Sequence, residues 1–479
     1  MKGKDRGAVS VYLAMMMAVM IPLILTMMEA ARVNAIKLRM ECAADLSMDS
    51  VLAEYNRALM DRYDLLFIDT AYDGGNGSVD KLTEHLEKYL EYNIRPSKGN
   101  IFGGKDLTGL QLESAELVRV SRATDGGGEV FRYMALSYML EKYGLSYVEG
   151  IKDMVESSSS EELFSTDVSE ELNNAQGAVD AFPVPEPPEE QEEGTEWEEP
   201  PSKDDPAGAV RSAAGKGFLV GQAVKDEISG AAVDTGVYAS HRSLVKGDGM
   251  PEDWEDRNSI LEYLLFNEYI MEKCANYCEP KEGCRLQYQT EYILCGNNSD
   301  KDNLEGTAFK LMLIRGGSNF IYFFSDEELK SEAKTLATAL SFVCFCPQAA
   351  QVFELLIDIA WIYAETINDL KILFKGGKVP VFKSKQDWKL SLTNALGMGS
   401  DDEGEGNGQD YGDYLRIFLF LTPIEDRTAR CMDIVEMDVR EAGYEDFRLD
   451  NCVAGATVQL VFRSRYGYSF LMERRFRYA

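Results

Sequence analysis

The chain has 479 residues, 45% hydrophobic, with 81 acidic against 49 basic side chains and a net charge of −32. This negative surplus repels a phosphate backbone and argues against a nucleic-acid partner, while the apolar fraction is enough for a sizeable core divided among two to three domains. His85 and His241 are the two histidines, so a multi-histidine metal site is excluded and histidine acid–base chemistry has few candidates.

Residues 1–7 form a short basic leader, which is expected to lie in the cytoplasm. Residues 8–28 carry no charge and, at ~1.5 Å rise per residue, are long enough to cross a bilayer once. Leader charge predicts a single-pass protein of the cell membrane with the bulk extracellular. The length of the run, and the absence of a turn-forming break after it, favour a retained anchor over a cleaved secretory signal. Apolar residues then recur at Val33, Ile36, Met40, Ala43, Ala44, Met48, Val51, Tyr55 and Leu59, and neither Gly nor Pro occurs between Pro22 and Gly74. One helix from about residue 9 to 60 is predicted, half membrane span and half amphipathic stem (29–60). The stem stripe packs either on its own domain or on another copy, which would make a homo-oligomer.

Arg6-Gly-Ala-Val-Ser-Val11, the apolar run, Glu29-Ala-Ala-Arg32 and Cys42-Ala-Ala-Asp-Leu-Ser-Met-Asp-Ser50 resemble the start of TadE/TadG-type proteins, pseudopilin-like envelope proteins of tight-adherence (Flp) pilus systems. The resemblance covers about the first 60 residues. It implies pilus or secretion-system envelope proteins as partners, and a candidate prepilin-type processing junction at Gly7 and Ala8. Tyr12 stands where the cleaved members carry a glutamate. Glu54-Tyr55-Asn56, Tyr63-Asp-Leu-Leu-Phe-Ile-Asp69, Glu291-Tyr-Ile-Leu294 and Tyr411-Gly-Asp-Tyr-Leu415 are similar to an uncharacterised family of large single-anchor proteins from Gram-positive anaerobes. That resemblance implies a location and a system, and no catalytic residue.

Residues 61–156 read as a first α+β unit, with a buried strand at 63–68, a helix at 79–92, an alternating strand at 110–122 and a helix at 129–155. Residues 157–206 form an acidic, Pro-rich linker or insert, with ten acids and one lysine between Glu186 and Asp205. Gly215-Lys-Gly217 lacks the Ser/Thr and the flanking elements of a phosphate loop.

Residues 207–479 read as a second α+β unit with helices at 259–277, 303–315, 327–344, 348–374, 414–422 and 425–442. Strands are expected at 286–295 and in a terminal hairpin, 456–462 with 468–477. Of nine cysteines, Cys274, Cys278, Cys284 and Cys295 cluster in a loop, where disulfides, free thiols or a four-cysteine zinc site are the alternatives. Their C-x3-C-x5-C-x10-C spacing does not match paired knuckles. Cys344 and Cys346 form a C-x-C pair, and the acidic glycine loop 401–412 lacks calcium-loop order. Glu365 and Asp369 lie four apart on one helix face and are expected on a solvated edge.

The expected fold is α+β: a long N-terminal membrane and stem helix, then a mixed, mostly helical extracellular region with short antiparallel strands. No catalytic, cofactor-binding or metal-ligating residue is assigned. The bilayer and envelope proteins are the expected partners. The function expected is a non-catalytic structural or assembly component of a TadE/TadG-like pilus or surface apparatus. The alternatives are an anchored ligand-binding or sensor module, or a surface hydrolase.

Overall fold

The computed structural model describes residues 4–72, 74–94, 109–157, 228–251, 254, 260–343, 350–392, 394 and 408–478. They form an α+β fold, with a long apolar N-terminal helix, a small antiparallel sheet and a mostly helical remainder. Two compact units are made from interleaved stretches of chain: one from 1–138, 237–257 and 435–479, the other from 139–236 and 258–434. The linker 157–206, Gly215-Lys-Gly217, Cys344, Cys346 and most of the 401–412 loop lie outside the described residues.

In the first unit α1 spans Lys4–Leu52. Residues 9–28 are exposed all round, and the helix is long and apolar enough to cross a membrane, with a mean hydropathy of 2.2 in its most apolar window. The stem stripe is buried at Ile36, Met40, Ala43, Ala44, Ser47, Met48 and Val51 within its own unit. It lies on α3 (Val79–Ile94), whose Leu82, Leu86, Leu90 and Ile94 are buried at four-residue steps. The Asn93 amide donates to Ser47 Oγ at 2.9 Å, and the Tyr89 hydroxyl donates to Glu54 at 2.7 Å.

The helix does not reach residue 60. Asn56 takes extended geometry, gives its N–H to Phe67 O at 2.9 Å, and caps a separate helix, α2 (Arg57–Tyr63), by accepting from the Leu59 N–H at 3.2 Å. The expected strand at 63–68 is likewise not formed. Asp64 turns left-handed at φ 52° to close α2, and β1 is confined to Ile68–Asp69.

The sheet is built around β3 (Cys452–Ser464), which pairs antiparallel with β2 (Leu110–Arg122) along one edge. Its other edge takes β4 (Ser469–Arg477) and, at Cys452 and Val453, β1. The predicted β2 and terminal hairpin are therefore present. The hairpin, read from sequence with the second unit, belongs to the first because β2 supplies its partner edge.

The second unit holds α5 (Ile260–Lys273), α6 (Gln289–Cys295), α7 (Asp300–Ser325), α8 (Glu327–Val343), α9 (Ala350–Phe374) and α10 (Tyr411–Leu421). The chain passes between units within α4 (Asp125–Ser157) and α11 (Ile424–Glu441). The expected strand at 286–295 is α6: residues 289–294 are buried on every side, so the short apolar run carried no usable periodicity. Phe323, Ala333, Ala337, Ile357, Trp361, Ile362 and Leu390 form one core cluster.

Candidate functional site

A cavity of about 510 Å³ opens within the second unit. Met271, Glu268 and Glu272 reach it from α5, Met139 and Tyr143 from α4, and Asn276, Cys278 and Glu279 from the cysteine loop. Asp410, Tyr411, Gly412 and Arg416 come from the start of α10. That helix starts where it does because Asp410 and Asp413 form a reciprocal capping box: the Asp413 N–H donates to the Asp410 carboxylate at 2.9 Å, and the Asp410 N–H donates back to Asp413 at 3.3 Å.

Most charges at the mouth are paired. Arg416 Nε donates to Glu268 at 2.9 Å, and Lys142 Nζ and the Tyr143 hydroxyl donate to the two oxygens of Glu272 at 2.7 and 2.8 Å. The bond to Glu272, followed by desolvation, raises the Tyr143 pKa. Burial, reinforced by Glu291, Glu279 and Asp410, pushes the Cys278 thiol up to about 12. It therefore stands as a neutral thiol near neutral pH.

Behind Tyr411 lies Glu291, with no solvent exposure. Its Oε1 accepts from the Tyr411 hydroxyl at 2.6 Å and from the Tyr277 N–H at 2.9 Å, while its Oε2 is buried without a partner. Burial raises its pKa to about 7, against the lowering effect of those two bonds. Glu291 and Tyr411 belong to two of the motifs singled out from sequence, and the fold brings them together across 120 positions.

The same meeting occurs for the other motifs. The Tyr63 hydroxyl donates to buried Asp438 at 2.6 Å, Glu54 accepts from Tyr89, and Asn56 caps α2. Tyr414, from the Tyr411 motif, accepts from Arg315 Nη1 at 3.2 Å.

Arg315 opens a second cluster, in which the expected solvated placement of Glu365 and Asp369 is overturned. Both are buried. Asp369 accepts from Arg315 Nη2 at 3.0 Å and from Asn319 Nδ2 at 2.9 Å, and pairs with Lys383 Nζ at 2.7 Å. Glu365 also takes Lys383, together with the backbone N–H groups of Lys389 and Leu390 at 2.9 and 2.8 Å. Lys383 lies on the loop after α9, a partner that spacing along that helix did not reveal. The cluster clamps this loop onto α7 and α9.

The sequence-predicted cysteines are dispersed. Cys274 closes α5 and is fully buried, and Cys278 stands at the cavity with its thiol on Leu373 O at 3.7 Å. Cys284 is buried, and Cys295 ends α6 with its sulfur 3.6 Å from Thr307 Oγ1. All four carry free thiols. Among the described residues no group of three or more His, Cys, Asp or Glu could hold a metal ion. Gly7 and Ala8 lie within α1. Glu268, Glu272, Tyr143 and Arg416 were not singled out from sequence, since they come from three distant segments.

Residues 196–464 match a family of unknown function, DUF5702. The chain belongs to this family. Its match takes in the whole cavity except the α4 contribution, and its description makes no link to TadE/TadG-type proteins or pili. No curated protein matches the chain, and no solved structure does.

Proposed function

We propose that this DUF5702 protein is a single-pass, membrane-anchored structural or assembly component of a TadE/TadG-like pilus or surface apparatus. Its two units stand outside the cell, and it performs no catalysis. The observation that carries this reading is α1. Its fully exposed apolar half runs without interruption into a buried half that packs on the sheet unit, so anchor and outer body are one element. The non-catalytic part is supported by the cavity, where Glu268 and Glu272 are held in ion pairs and the Cys278 thiol is kept protonated.

Affinity capture after cross-linking is expected to recover pilus-secretion components, and external protease is expected to reach the C-terminal hairpin. A fully protected C-terminus would reverse the topology. Replacing Met16 and Leu23 with Arg is expected to release the chain from carbonate-washed membranes, at roughly 2.5–3.5 kcal/mol per central charge. Unchanged retention would remove the anchor.

The second reading is an anchored ligand-binding module, favoured by the 510 Å³ cavity. Capture of no envelope component, together with thermal stabilisation by fragments of an envelope polymer, would put it first.

A further inference from the structure

Cys274, read from sequence with its loop neighbours, meets a different cysteine in the fold. Its thiol lies near enough to that of Cys431, 157 positions further along the chain on α11, to raise the latter's pKa, and neither residue has any solvent exposure. The nearby cysteines turn elsewhere: Cys278 to the Leu373 carbonyl and Cys295 to Thr307.

The neighbours of each cysteine are held independently of its sulfur. The Cys274 carbonyl accepts from Lys281 Nζ at 2.8 Å. The next residue, Ala275, gives its N–H to Gln289 Oε1 at 3.0 Å and its carbonyl accepts the Thr290 N–H at 2.9 Å. On the other side, Arg430 Nη1 donates to Ile293 O at 2.9 Å, and Asp433 accepts from the Tyr292 hydroxyl at 2.8 Å. Cys274 and Cys431 are thus fixed against one another by bonds to α6 that do not involve either sulfur. A disulfide needs close Cβ atoms on backbones that need not move, and neighbours tied to one short helix favour that.

We propose that Cys274 and Cys431 are a disulfide-forming pair that closes in an oxidising compartment and ties α5 to α11. The oxidant is a carrier disulfide, such as a dithiol oxidoreductase or a low-molecular-weight disulfide. One protein thiolate attacks it to give a mixed disulfide and release one carrier thiol. The second protein thiolate then displaces the other carrier sulfur. The protein loses two electrons and two protons, and the carrier leaves as two thiols. Contact with Cys274, and then burial, raise the Cys431 pKa, so few thiolates form once the unit has folded and closure requires local opening or precedes burial.

Closure in the cell rests on the outward placement proposed above, whereas the pairing itself does not. The test uses the full-length chain in detergent, reduced, incubated for hours with oxidised glutathione, alkylated after denaturation and digested without reductant. The expected product is a Cys274–Cys431 cross-linked peptide pair, with several-fold slower proteolysis of the oxidised protein. Cys431→Ala is expected to abolish both, and Cys278→Ala to leave both intact. Recovery of Cys274 and Cys431 as alkylated thiols, or joined to other cysteines, would overturn the pairing. The same digest on chain taken from native membranes separates the two claims. A pair linked by glutathione but free in the cell upholds the pairing and overturns the outward placement.

Discussion

Lys383→Met offers the most direct test of the buried cluster between α7 and α9. Arg315 and Lys383 carry two positive charges, and Glu365 and Asp369 two negative ones, so the cluster is neutral as built. The Lys383 side chain is fully buried and lies 2.7 Å from Asp369, a separation worth about 6 kcal/mol of attraction at an effective dielectric near 20. Much of that attraction offsets desolvation. What removal leaves is one uncompensated buried negative charge, which costs about 3–5 kcal/mol. Hydrogen exchange should read the loss at the Lys389 and Leu390 amides, which donate to Glu365. Their protection is expected to fall by a factor of roughly 150 to 5000, at 1.36 kcal/mol per decade. Adding Asp369→Asn restores neutrality and keeps a carbonyl for Arg315, so the double variant is expected to regain most of the protection. Wild-type protection in Lys383→Met, or a double variant as unprotected as the single, would refute the charge-balance reasoning.

Glu291→Gln tests the buried carboxyl behind Tyr411. A carboxyl raised from 4.5 to about 7 stays protonated in the folded chain while the unfolded chain ionises. Stability is therefore lost as pH rises from about 4.5 to 7 and is constant above, a total of about 3 kcal/mol. Urea midpoints across that window should decline less in Glu291→Gln than in the wild type, and parallel profiles would sink the idea. Gly455→Ala places a Cβ 2.5 Å from Arg477 Cβ and 2.7 Å from Phe476 O, between the paired strands β3 and β4. It is expected to destabilise the chain by about 1–3 kcal/mol in urea titration. An unchanged midpoint would mean that β4 yields without cost.

Elements with a clear period were legible in the residues. The four-step leucines of α3, the alternation of β2, the terminal hairpin and the buried stripe of α1 were all read from spacing, and each is present. What failed was short or wholly buried. α6 has apolar and polar residues buried together, so it shows neither a 3.6 nor a 2 period. The end of α1 depended on Asn56 choosing a cap and a partner at Phe67, which helix propensity does not report. The polar interior was the least visible. Asp369 looks like a surface acid until Arg315 and Lys383, 54 and 14 positions away, are placed beside it. Cys274 likewise looks like a loop cysteine until α11 returns Cys431.

The uninterrupted passage of α1 from residue 4 to residue 52 has a mechanical meaning. A flexible tether would leave the sheet unit free to swivel about residues 9–28, but a helix shared by both transmits twist. Each residue advances the helix by ~100° and ~1.5 Å, so the azimuth of the apolar half fixes the azimuth of the sheet unit about the helix axis. One added residue near position 31 would turn that unit by more than a quarter revolution, whereas four added residues would nearly restore its bearing and lift it by ~6 Å. On the proposed reading of α1 as an anchor, the helix acts as an axle, and the direction in which the protein presents itself is set by its apolar half.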